Sequence, residues 1–138
     1  MNKYLECTEI IDWEHPSLAD LARKLAATTP EATAKNCFEW VRDEIKHSGD
    51  YHLNPITCTA SHVLQARTGF CYAKSHLLAA LLRANSIPAG LCYQRLSLGD
   101  GKFCLHGLNA MHLPPHRLVP DRLTRKQAHR KRPIRSAA

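Results

Sequence analysis

The stretch that most constrains this chain is Thr68-Gly-Phe-Cys71-Tyr-Ala-Lys-Ser-His-Leu-Leu-Ala-Ala-Leu-Leu-Arg-Ala-Asn85-Ser-Ile-Pro-Ala89. Leu77, Leu78, Leu81 and Leu82, with Ala73, Ala79 and Ala80, make it apolar around most of a helical circumference. A helix apolar on nearly all sides is stable only when buried, with other elements packed around it. The pattern predicts a central helix from Cys71 to Asn85, begun after a break at Thr68-Gly69 and ended before Ser86-Ile-Pro. Its first residue is a cysteine. A thiol there meets backbone N–H groups with no intrahelical acceptor and the positive end of the helix dipole, and both favour a thiolate.

The other elements follow from periodicity and turn chemistry. Residues 1–16 read as an extended lead-in. Ser17, with Asp20 three residues on, predicts a capped helix to about Ala27. Thr29-Pro30 opens a second helix, in which Ala34, Phe38, Val41 and Ile45 recur at helical spacing, and His47-Ser-Gly-Asp50 ends it. Residues 50–58 read as loop. Ala60 to about Arg67 makes two helical turns, capped by Thr59 or Ser61. After the central helix the period changes to that of strands: Ala89–Leu98 and Lys102–Leu113 flank Gly99-Asp-Gly101, a hairpin signal. In the second strand Cys104, His106, Leu108 and Ala110 share one face, and Phe103, Leu105, Asn109 and Met111 the other. The pattern fails after Pro114-Pro115. Leu118 and Val119 could start one more strand, which Pro120 cuts short.

A chain of 138 residues supports a single domain with its own core, expected over 1–122. No apolar run reaches the roughly 18 residues of a membrane span. The acidic, mixed N-terminus is unlike a signal peptide, which predicts a cytoplasmic protein. The six cysteines are dispersed without a C-x-x-C, so they are expected to be thiols, most of them buried as small hydrophobes. Cys104-x-His106 and His112-x-x-x-His116 are the nearest approach to a metal motif. Neither has a C-x-x-C partner, so no metal is expected, and no cofactor.

The net charge of +7 lies in the C-terminal segment: residues 116–138 hold eight Lys/Arg and one acid, whereas residues 1–115 balance eleven against eleven. The domain thus shows no net electrostatic footprint for nucleic acid. Residues 123–138 read as a basic, disordered tail able to meet an anionic partner. The run Arg125–Arg132 has no aromatic residue on which a base could stack.

The order of chemistry-bearing elements is a helix with cysteine, a strand, a turn, a strand with histidine, then an acid. With Ala60-Ser-His-Val-Leu-Gln-Ala-Arg-Thr-Gly-Phe-Cys71, Leu-Leu-Ala-Ala-Leu-Leu-Arg83, Ile87-Pro-Ala89 and His106-Gly-Leu-Asn-Ala, this order resembles the transglutaminase-like superfamily, a branch of the papain-like thiol enzymes, in a small bacterial-type form. The resemblance runs from about Ala60 to Asp121. It implies an α+β, papain-like fold, with N-terminal helices and the central helix packed on a small antiparallel sheet. It implies Cys71 as nucleophile, His106 as general base and acid, and Asp121 as the group that orients the imidazole. The implied reaction is thiolate attack on a peptide or glutamine-type amide, giving a thioester that water or an amine releases. The implied partner is a protein or peptide substrate.

Around that set, Asp100 is a weaker candidate acid because Gly-Asp-Gly fits a turn. Asn109, three residues from His106, points to the opposite face in a regular strand. The Cys71 amide suits an oxyanion donor, with Tyr51, His52 or Asn54 as side-chain donors. Trp13 and Trp40 read as core or groove aromatics. His116-Arg-Leu-Val-Pro-Asp121 is short for a third strand. This supports an alternative, a catalytically silent interaction module anchored by its tail, and an open sheet edge that would favour a homodimer.

Overall fold

A computed structural model describes residues 2–114 and 119–120 of the chain. The apolar sequence around Leu77–Leu82 forms α5 (Cys71–Ala84), and all of its leucines are buried. Helices α1 (Pro16–Leu25), α2 (Pro30–Glu44) and α4 (Ala60–Ala66) pack on it, as do the strands β3 (Ala89–Gly99) and β4 (Lys102–Met111). A helix with neighbours all round has no face to leave polar, which is why α5 carries no amphipathic stripe.

Local chemistry sets the helix ends. In α2 the Thr29 hydroxyl accepts the Ala32 N–H at 3.1 Å with Pro30 at the first position, and Ala34, Phe38, Val41 and Ile45 are buried as their spacing predicts. In α1 the expected cap moves. Pro16 takes the first helical position, so His15 is the N-cap, and its Nδ1 accepts the Ser17 N–H at 3.3 Å. Thr59, rather than Ser61, caps α4, and Arg67 closes it in the left-handed region at φ 58°. Thr68-Gly69 is therefore more than a break. It forms β2 (Thr68–Gly69), parallel to β1 (Lys46–His47), and is followed directly by α5. The buried Thr68 hydroxyl donates to the Lys46 carbonyl at 3.1 Å and shares a 2.8 Å bond with the Ser48 hydroxyl at the start of the short α3 (Ser48–Tyr51).

β3 and β4 form an antiparallel hairpin in which Gln94 faces His106 and Tyr93 faces Gly107. Gly99, Asp100 and Gly101 all take positive φ in the turn. β5 (Val119–Pro120) adds to β4 opposite Met111 and Ala110. α5 covers only the inner part of the hairpin: Asn109 and Met111 are buried against it, while Leu105 and Phe103, on the same face, lie exposed beyond the helix.

Two expectations need correction. The N-terminal residues are a packed strap that opens with a helical turn at Asn2–Tyr4 rather than an extended lead-in: Tyr4 lies against Gly90, Ile11 is buried, and the Ile10 carbonyl accepts the Ala60 N–H at 2.9 Å. The cysteines are free, but Cys37 alone is fully buried, and burial pushes its thiol up to about 12. Cys7, Cys58 and Cys104 are exposed because they sit in loops or on the open part of the hairpin.

Arg83 ties these layers together. Its Nε and Nη2 donate to the Ala89 carbonyl at 3.0 and 2.8 Å, and Nη1 donates to the Glu6 carbonyl at 2.7 Å, although the residue is buried. The guanidinium fork thus joins the end of α5 to the start of β3 and to the N-terminal strap. Arg83→Met would leave both carbonyls without these donors. We expect it to destabilise the fold by about 2–4 kcal/mol, measured as a lower urea midpoint.

Candidate active site

The site begins with the turn into α5. A Cβ at Gly69 would lie 3.0 Å from the Ala73 Cβ and 3.1 Å from Thr57 Oγ1, so only glycine lets β2 turn into the helix this tightly. Thr57 Oγ1 donates to the Thr68 carbonyl at 2.8 Å, and His76 Nδ1 contacts the Cys58 carbonyl at 2.7 Å. The 57–58 strap is thereby fixed to both β2 and α5. Cys71 is the first helical residue, and the N-cap residue Phe70 supplies no side-chain acceptor.

The histidine strand meets this helix start at Gly107. A Cβ there would sit 2.9 Å from Tyr72 Cα and 3.1 Å from Tyr72 N, so the absence of a side chain lets the strand backbone lie on the helix backbone. As a result the Gly107 N–H donates to Cys71 Sγ at 3.3 Å. That nitrogen belongs to the peptide linking His106 to Gly107. The structure therefore sets the Cys71 sulfur against the main chain next to His106.

His106 is half-buried, and its Nε2 is enclosed with no hydrogen-bond partner among the described residues. Burial lowers its pKa from the ordinary 6.5, because the charged imidazolium is the form that loses solvation. The sign for stability follows. The unfolded chain binds the proton more readily, so stability is complete above pH 6.5 and falls as the pH drops through 6.5 towards the folded value. We expect the urea midpoint to decline between pH 7 and pH 5, and His106→Asn to remove part of that decline.

Asp121 lies outside the described residues, as do His116 and the tail. Pro120, directly before Asp121, is paired with Ala110 of the histidine strand. Asp100 sits in the exposed hairpin turn. Asn109 is on the face opposite His106, as alternation predicts. It is fully buried, and its Nδ2 donates to the Ser75 carbonyl at 2.9 Å, pinning β4 to α5. Tyr51, His52 and Asn54 are exposed, and the Lys46 ammonium lies over the Tyr51 ring.

Sequence reasoning missed the rings around the cysteine. Phe70 and Tyr72 stack at 6.2 Å, His47 meets Phe70 edge-on at 5.6 Å, and Tyr72 meets His76 at 5.9 Å. Aromatic residues immediately before and after Cys71 were the available signal. Trp13 and Trp40 pack partly buried against the core, and the Trp13 indole donates to the Leu5 carbonyl at 3.1 Å.

The profile of the transglutaminase-like superfamily matches residues 19–129. Among solved structures, a candidate cysteine protease from Cytophaga hutchinsonii superposes with a TM-score of 0.70 at 19% identity, over 86% of this chain and 40% of that one. The periplasmic domain of TgpA from Pseudomonas aeruginosa superposes at 0.62 and 21% identity, over 86% of this chain. The match covers 46% of that domain in its ethylmercury-bound form and 44% in the other. These likenesses establish the papain-like, transglutaminase-like fold, and the chain spans less than half the length of each. No curated protein sequence matches the chain. No described helix is long and apolar enough to cross a membrane.

Proposed function

The chain belongs to the transglutaminase-like superfamily, and from that premise we propose that it is a thiol-dependent acyl-transfer enzyme acting on a peptide or glutamine-type amide. The observation that carries this reading is the 3.3 Å contact between Cys71 Sγ and the amide joining His106 to Gly107. In this reading His106 takes the Cys71 proton as sulfur attacks the amide carbonyl carbon. The oxygen becomes an oxyanion within reach of the unpaired amides at the start of α5. The C–N bond then breaks, the amine leaves with the proton held by His106, and a Cys71 thioester forms. Water or a second amine attacks the thioester, His106 removes its proton, and the sulfur recovers it. The same fold occurs in a candidate cysteine protease, which supports hydrolysis as one outcome.

Asp121 is the proposed partner of the imidazole, whose Nε2 has no hydrogen-bond partner among the described residues. A carboxylate there raises the pKa of His106 and so counters the effect of burial. Asp121→Asn should therefore shift the acid limb of kcat/KM to lower pH and reduce the rate by about 10²-fold or more. An unmoved limb removes Asp121 from the site. A specific observation favours the second reading, a silent interaction module: burial alone acts on His106 among the described residues. That reading predicts no turnover by the wild-type protein, and partner binding that is lost when residues 123–138 are removed. The expected cytoplasmic location, the anionic partner of the tail and a homodimer through the sheet edge are proposals that rest on the sequence.

A further inference from the structure

The face of the hairpin that packs on α5 continues past the end of that helix. Gly107, against the Tyr72 backbone, marks the start of α5. Beyond it on β4 come Leu105, 70% exposed, and Phe103, 50% exposed. Across on β3 lie Tyr93, 59% exposed and opposite Gly107, and Arg95, opposite Leu105. The Arg95 guanidinium carbon stands 3.7 Å from the centre of the Phe103 ring, and no carboxylate among the described residues is paired with Arg95. An apolar shelf bearing one exposed cation thus starts at the residue whose amide contacts the cysteine sulfur. Exposed, contiguous apolar residues of this kind mark interaction surfaces.

We propose that this shelf binds the substrate, an extended peptide with an apolar side chain next to the reacting amide and a carboxylate two residues further out. The proposal rests on the thiol-enzyme reading above. Side chains two apart share one face of an extended peptide. The apolar one would cover Tyr93 and Leu105, and the carboxylate would reach the guanidinium stacked on Phe103, a fork suited to bidentate pairing. Charge argues against the chain's own C-terminal segment as occupant, because its eight Lys/Arg would meet Arg95 as like charges.

Two electrophilic vinyl sulfone peptides test this, each carrying phenylalanine next to the electrophile and either Glu or Lys two residues further out. The readout is Cys71 labelling by mass spectrometry, with iodoacetamide as a probe that does not touch the shelf. The Glu peptide should label about fivefold faster, the upper range for an exposed ion pair. Arg95→Glu should reverse the preference, and Leu105→Ser should slow both peptides several-fold, with the iodoacetamide rate unchanged. Equal rates for the two peptides, with rapid iodoacetamide labelling, would overturn the shelf and leave the thiol-enzyme reading intact. If iodoacetamide labels Cys71 slowly, the thiol-enzyme reading fails. Fluorescence anisotropy of the unreactive peptides then decides the shelf: tighter binding of the Glu peptide supports it, and equal binding overturns it.

Discussion

On the proposed reading, Cys71→Ala should remove acyl transfer altogether, and His106→Ala should lower kcat/KM by roughly 10²–10⁴-fold, the usual contribution of a positioned general base. Both variants keep the fold. Cys71 is only half-buried and contributes one sulfur contact, and His106 has no hydrogen-bond partner among the described residues to lose. Melting temperatures should therefore stay within a few degrees of the wild type while activity disappears. Steady-state hydrolysis of a glutamine-containing peptide, with transfer to an added amine followed in parallel, checks the first point, and thermal melts check the second. The effects should not add: with the nucleophile gone, removing the base costs nothing further.

Gly107→Ala is the second large effect, and it acts without touching a reacting group. The new methyl would stand 2.9 Å from Tyr72 Cα and 3.1 Å from Tyr72 N. Both are backbone atoms of the first helical turn, so no side-chain rotation relieves the clash, and strand and helix must separate. Overpacking of this kind costs about 1–3 kcal/mol. The same separation lengthens the contact between Cys71 Sγ and the Gly107 amide. Displacing a reacting group by about 1 Å can cost on the order of 10²-fold in rate. A urea titration measures the first effect and kcat/KM the second. Gly69→Ala offers a comparison, since its nearest neighbours are the Ala73 methyl and the Thr57 hydroxyl rather than backbone. It should lose stability with a smaller loss of rate.

Elements whose signal is local were readable from the sequence. Thr29-Pro30 and the 34–38–41–45 stripe gave α2, the leucines gave α5 to within a residue, and Gly99-Asp-Gly101 gave the hairpin turn. Strict alternation also separated His106 from Asn109, a prediction about faces that the hydrogen bond from Asn109 to Ser75 bears out. What escaped depends on contacts distant in sequence. The pairing of Lys46–His47 with Thr68–Gly69 is two residues long and has no period to detect. The need for glycine at 107 comes from Tyr72, and the role of Arg83 comes from Glu6 and Ala89, each set by tertiary packing. The cysteines ran against expectation because burial follows an element's position rather than residue type: Cys104 lies on the face of β4 turned away from α5 and is exposed there.

For the candidate site, family order singled out Cys71 and His106, and the observed contact is between the Cys71 sulfur and the Gly107 amide, next to His106 in the chain. Asp121 falls beyond the described residues. The shelf of Tyr93, Arg95, Phe103 and Leu105 was invisible as a feature because alternation alone does not tell where the covering helix stops.

The most direct test of the account is acylation by 4-nitrophenyl acetate, with the modified cysteine identified by peptide mass spectrometry in the wild type and in His106→Ala. The account predicts a thioester on Cys71 that forms faster than on the exposed Cys58 and Cys104, and that this advantage disappears in His106→Ala. Acylation spread over the exposed cysteines, or concentrated on Cys71 to the same extent without His106, would contradict it.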